Sequence, residues 1–149
     1  MNKQTRNIIN VSLTLVAIYL YSFTANNIET EILGFNSFKF LISIAVLIQF
    51  LIFLPSFIFK TEKFYDLTGS LTYISVTSIA YFSLDNPTTT DTILFLYVII
   101  WAGRLGIFLF RRINKDGKDE RFDKAKKKFF WFLQYWMGQA AWVVFTAGA

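Results

Sequence analysis

Arg104 stands inside an apolar run from Thr92 to Phe110, with Trp101, Gly103, Leu105, Gly106, Ile107 and Phe108 around it. A permanent cation at that depth is expensive in hydrocarbon and should face a protein interior or a wet cavity. There it would serve an anionic ligand or a carboxylate partner. The competing reading is snorkelling. Arg104 lies six residues before the end of the run, about 9 Å of helix, and a long side chain covers part of that distance. Arg111 and Arg112 close the run, where cations suit the helix dipole and anionic headgroups. Their alternative role is bidentate contact with the phosphates of a nucleotide.

Acid and hydroxyl groups gather earlier in the chain. Thr68, Thr72, Ser75 and Ser78 are spaced to share one helical face. Such a stripe either packs helices closely or forms one wall of a ligand cavity. Asp66 precedes it as a helix cap or as an acid, and Tyr65 and Tyr73 are candidate proton donors. Gln139 shares a face with Tyr135 and Trp142 and should point into a helical bundle, as ligand contact or as interhelical glue. Gln49 and Gln134 pose the same question. There is no Cys and no His, which excludes a disulfide framework, thiolate or imidazole metal ligation and His-dependent triads within this sequence. No metal site is expected.

Composition says where these groups must be held. The 149 residues are 54% hydrophobic and 19% aromatic, with a mean hydropathy of +0.44. Five apolar runs stand out, at about 8–25, 38–59, 67–84, 92–110 and 129–147. Each approaches the ~20 residues a helix needs to cross the hydrocarbon core. The runs are continuous rather than alternating, which argues against a transmembrane barrel. The expected fold is all-α: one transmembrane domain over 1–149, a polytopic bundle of five helices, in a bacterial inner membrane or the endoplasmic reticulum.

The loops set the orientation. Lys3, Arg6, Lys60, Lys63 and nine basic residues in 111–128 place thirteen of the fifteen cations on one side, leaving Lys39 and Arg104. Glu29, Glu31, Asp85 and Asp91 lie on the other. The positive-inside rule then puts the N-terminus in the cytoplasm. The same placement explains the net charge of +5 without nucleic acid. Locally, Asp91 should cap span four and Asp66 span three. Lys115-Asp116-Gly117-Lys118-Asp119 reads as a turn, and 119–128 as a surface helix with Phe122 as its apolar contact.

Two stretches carry a resemblance. One runs from Phe59 through Glu62, Tyr65-Asp66-Leu67-Thr68-Gly69 and on to Tyr73. The other runs from Trp101-Ala102-Gly103-Arg104-Leu105-Gly106 through Arg111-Arg112 to Asp123. Together they resemble a membrane protein family of mostly uncharacterised members, related to the steroid 5-alpha-reductases, over about residues 38–145. The resemblance implies NADPH-dependent reduction of an activated carbon–carbon double bond in a lipophilic enone such as a sterol- or isoprenoid-like lipid. It implies Arg104 for the nucleotide pocket, and Asp66 and Thr68 match an Asp-Leu-Thr-Gly element of the family. The residues themselves add Arg111 and Arg112 for the nucleotide, Asp66 and Tyr73 as candidate catalytic groups, and Thr68, Thr72 and Gln139 for the substrate cavity. Related methyltransferases of similar architecture use S-adenosylmethionine. The sequence departs from the reductases in lacking a glutamate in the second span and an Arg-His-Pro segment. It therefore resembles an N-terminal portion, expected to work with a missing C-terminal half or a second copy. The remaining alternative is a non-catalytic membrane protein that binds lipid or supports a complex.

Overall fold

The computed structural model describes residues 2–24 and 30–148. Five helices dominate it: α1 (Lys3–Tyr21), α2 (Ser37–Ile58), α3 (Tyr65–Phe82), α4 (Thr89–Asp116) and α5 (Phe129–Ala147). The last residue of the first expected span, Ala25, lies outside the described residues. The only sheet among the described residues is a hairpin of Glu31–Ile32 (β1) and Phe35–Asn36 (β2). Its two turn residues, Leu33 and Gly34, both take positive φ, 55° and 78°, as a tight two-residue hairpin requires.

Helix ends follow local chemistry, with two corrections to the expected caps. The α4 cap is Thr88, not Asp91. Thr88 Oγ1 accepts the Asp91 N–H at 3.2 Å, and the Asp91 carboxylate accepts the Thr88 N–H at 2.8 Å, a reciprocal capping box. Asp66 caps nothing: α3 begins after Phe64 without a side-chain cap, and Asp66 lies in the first turn. There an acid suits the helix dipole and stays free to pair elsewhere. The expected turn falls at Gly117, whose φ of 77° ends α4 with its N–H on the Ile113 carbonyl. The segment after it is not a surface helix. It forms two short 3-10 turns, Glu120–Phe122 and Ala125–Lys127. Phe122 is 1% exposed, packed between the rings of Tyr65, Phe132 and Tyr135. Burying that ring folds the segment onto the bundle.

α5 sits centrally, packed against α1, α2 and α3, while α4 packs chiefly on α3. Small residues permit the close approaches. A Cβ on Gly106 of α4 would lie 2.8 Å from Ser70 Cβ of α3, and one on Gly69 of α3 would lie 2.6 Å from Gln139 Nε2 of α5. One apolar cluster, with Phe53, Phe132 and Trp136, fills one end of the bundle. A second, with Ala45, Val76, Ala102 and Ala140, fills the other.

The connections sort by charge. Lys126 meets Glu62 and Arg112 meets Asp66, so the α2–α3 and α4–α5 connections share one end. At the opposite end Tyr21 packs edge-on to Phe38 and Phe145, and Lys39 lies over the Phe23 ring at 5.0 Å. Among the described residues two helices, α2 and α4, are long and apolar enough to cross a membrane, with mean hydropathies of 2.5 and 2.2. Only 28% and 11% of their apolar windows are buried inside the bundle, so neither is the sequestered core helix of a soluble fold. Leu47, Leu51, Leu94, Tyr97, Ile100 and Phe108 face outward.

Candidate functional site

α3 forms the floor of a groove walled by α4 and α5. Its outer part, about 600 Å³, is lined by Tyr73, Tyr81, Val98, Trp101, Trp142 and Thr146. Its inner part, about 350 Å³, is lined by Tyr65, Gln134, Tyr135, Gly138, Gln139 and Trp142. Trp142 borders both, and α4 lines only the outer part. The groove exists because Ala102 and Gly106 press α4 onto α3, while Gly69 lets Gln139 of α5 settle over the α3 backbone. Gln139 Oε1 and Gln134 Oε1 are buried without a hydrogen-bond partner among the described residues. An amide left so in an apolar setting costs about 1–3 kcal/mol, a cost that an incoming polar group would relieve.

The mouth of the groove, at the end where the basic connections meet, is charged. Arg112 Nη2 lies 3.3 Å from Asp66 Oδ2. Burial raises the Asp66 pKa above its ordinary value, against the opposing charges of Arg121 and Arg112. Beside it, Tyr65 donates to the Tyr135 carbonyl at 3.0 Å. Burial first, then the Asp66 charge, hold that phenol protonated well above its ordinary range. Arg121 hydrogen-bonds Asp119 and holds that carboxyl below the usual range.

The sequence-predicted residues fall into separate groups. Asp66 and Arg112 are brought together. Tyr73 is seven residues from Asp66 on the same helix, about 10 Å along the axis. Its hydroxyl hydrogen-bonds Thr146, and its ring stands edge-on to Trp101 at 5.1 Å. Thr68 and Thr72 line neither part of the groove. Thr68 Oγ1 donates to the Phe64 carbonyl at 2.6 Å, and Thr72 Oγ1 donates to the Thr68 carbonyl at 2.7 Å. Gln49 Nε2 of α2 donates to Thr72 Oγ1 at 3.0 Å in a fully buried contact. This ladder ties α2 to α3 and leaves Gln139 as the polar candidate that reaches the groove.

Arg104 and Arg111 are exposed, with no hydrogen bond or ion pair among the described residues. Arg104 follows Trp101, which lines the groove, by three residues, and Arg111 follows Arg104 by seven. Neither lines the groove. Arg104 is two residues from both Ala102 and Gly106, which face α3, so it and Arg111 lie on the outward face of α4. The expectation that Arg104 faces a protein interior or a wet cavity is thereby corrected.

Sequence reasoning missed Glu62. It is buried, accepts from Lys126 Nζ at 2.8 Å and from the Asp119 N–H at 3.1 Å, and ties the α4–α5 connection beneath the groove mouth. A signal was present: Glu62 is the lone acid among Lys60, Thr61 and Lys63.

Comparison with known proteins adds one match. A family model described as a protein of unknown function (DUF1295) matches residues 52–149, from the second half of α2 onward. No curated protein and no solved structure matches the chain.

Proposed function

The chain belongs to the DUF1295 family, and on that footing we propose that it is a five-span membrane bundle, N-terminus cytoplasmic, forming the nucleotide- and lipid-binding part of an NADPH-dependent reductase of a lipophilic enone. The relation of this family to steroid 5-alpha-reductase-like proteins supports the reaction class. The observation that carries the reading is the groove: an apolar, aromatic outer part open between two helices, and an inner part with orphaned amides.

The residues present fit the nucleotide in kind. Arg104 and Arg111 are exposed cations without partners among the described residues, the chemistry that phosphate recognition uses. When bound, NADPH supplies the hydride that the β-carbon of the enone accepts. This chain's own groups do the rest. Arg104 and Arg111 hold phosphate or ribose. Arg112 orients Asp66 at the groove mouth. Gln139 contacts the polar end of the lipid. Tyr73 stands in the outer part of the groove to deliver the proton that the α-carbon takes, and Thr146 fixes its hydroxyl.

The alternative reading is a non-catalytic membrane protein that binds lipid or supports a complex. The Gln49–Thr72–Thr68 ladder favours it, because those polar groups are spent inside the bundle. A relative of S-adenosylmethionine-dependent methyltransferases is a third. NADPH binding separates them. Energy transfer from the groove tryptophans, Trp101 and Trp142, to the reduced nicotinamide is measured on the purified chain in detergent. Saturable transfer, weakened roughly tenfold or more in Arg104→Ala for a lost charge-assisted contact, supports the reductase. No transfer in either protein returns the reading to the lipid-binding alternative.

A further inference from the structure

A second cavity, of about 650 Å³, opens at the basic end of the bundle between the N-termini of α1 and α5. It shares Gln134 with the groove but is otherwise built from different residues. Lys3, Arg6 and Lys128 line it, and among the described residues no acid does. Both helices run 19 residues and start at its wall, so two positive dipole ends converge there. The α5 N-terminus has no side-chain cap. Its first-turn residues Phe129, Phe130 and Trp131 line the cavity, and the first N–H groups of a helix have no partner within it.

Asn7 supplies the independent observation. It is 9% exposed, lines the cavity, and its side chain makes no hydrogen bond among the described residues. A largely buried residue whose amide has no protein partner and lines a cavity offers that amide to a ligand. Gln134 repeats the pattern from α5, with Oε1 buried and unpartnered. An amide can turn either end toward a guest, so both residues can donate.

We propose that this cavity binds the phosphate of an anionic amphiphile. Lys3, Arg6 and Lys128 neutralise the charge, the α5 first-turn N–H groups and the Asn7 amide donate to the phosphate oxygens, and Trp131 with its neighbouring rings packs the apolar part. The volume exceeds that of a phosphate alone, and the aromatic rim would be idle for a wholly soluble anion. A phospholipid headgroup and a free phosphate share the recognising chemistry, and the experiment distinguishes them.

The purified full chain in a neutral detergent is loaded with phosphatidylglycerol, phosphatidylcholine or inorganic pyrophosphate, and retention is read by native mass spectrometry. Phosphatidylglycerol is expected to be kept about tenfold over phosphatidylcholine. That preference should vanish in Asn7→Asp, which puts a carboxylate against the phosphate, and in Arg6→Gln/Lys128→Gln. It should survive in Lys115→Gln/Lys124→Gln, which removes the same charge elsewhere on the basic end. Circular dichroism checks that each variant keeps wild-type helicity. Pyrophosphate retained with the same variant pattern, and phosphatidylglycerol not, supports the site with a soluble source. Equal retention of both lipids with no pyrophosphate bound overturns the proposal. So does a preference that persists in a helical Asn7→Asp, because a diffuse basic collar would then explain it.

Discussion

Gly69→Ala tests the groove floor with a change of sign. A Cβ at position 69 would lie 2.6 Å from Gln139 Nε2 and 2.8 Å from its Cδ, closer than nonbonded atoms approach. The substitution itself favours the helix by about 1 kcal/mol, the difference between Gly and Ala in a helix interior. Overpacking costs about 1–3 kcal/mol. Here the lower part of that range applies, because the obstructing atoms end a flexible side chain that can swing toward the open space beside Gly138. Gly69→Ala alone should therefore be neutral to destabilising by up to about 1 kcal/mol. In a Gln139→Ala background the obstruction is gone, and the same change should stabilise by about 1 kcal/mol. The coupling is then about 1–2 kcal/mol, well above the few tenths expected of independent sites. The assay is thermal unfolding of the four proteins in one detergent, followed by circular dichroism. An effect of Gly69→Ala that is the same in both backgrounds would refute the seating of Gln139 over α3.

Two further predictions concern the α4–α5 connection. Glu62→Gln removes the carboxylate from Lys126, whose remaining acidic partner is Asp123 at 3.5 Å. Breaking a fully buried pair costs about 3–5 kcal/mol. With Lys126 partly exposed and Asp123 still present, about 1–3 kcal/mol of local stability should go, read as tenfold or faster tryptic cleavage within 124–128. The second prediction is a pH window for the protection of residues 117–128. Hydrogen bonding from Arg121 holds Asp119 below its ordinary 3.8, so its contribution is present above that value and fades as pH falls through the folded pKa. Burial opposes the charge on Lys126, but Glu62 outweighs it and raises that pKa above 10.5. Its contribution is whole below 10.5 and fades as pH rises through the folded value. Hydrogen exchange across 117–128, corrected for intrinsic rates, should slow most between these limits. Protection that rises steadily into acid would contradict the Asp119–Arg121 contribution.

Helix placement was legible because alternating basic and acidic connections bracket continuous apolar runs. α2, α3 and α5 begin and end within two residues of their runs. α4 outruns its span at both ends, because a capping box starts it early and a left-handed glycine stops it late. Which face of each helix looks inward was less legible. The position of Arg104 follows from Ala102 and Gly106, small residues four apart that press the opposite face of α4 onto α3. That small-residue spacing was available in the sequence. The Thr68–Thr72 stripe was legible as a polar face, yet its partner, Gln49, is 23 residues from Thr72, and periodicity does not report such contacts. The seat of Phe122 was hidden for the same reason: the rings that bury it belong to α3 and α5. Of the candidate site, the residue types were readable, and their grouping around one groove was not.

The absence of cysteine permits a direct test of whether the opening between α4 and α5 is a ligand groove. A single cysteine is placed at Gly138, which lines the inner part and has open space where a Cβ would stand. Another is placed at Leu13 on the outward face of α1. Both proteins are reconstituted in phosphatidylcholine vesicles and labelled with a membrane-permeant maleimide, with and without NADPH and a lipophilic enone. The account predicts that ligand slows labelling of Gly138→Cys severalfold and leaves Leu13→Cys unchanged. Equal labelling rates at Gly138→Cys with and without ligand would mean that lipid, not substrate, fills the opening, and would contradict the reductase reading.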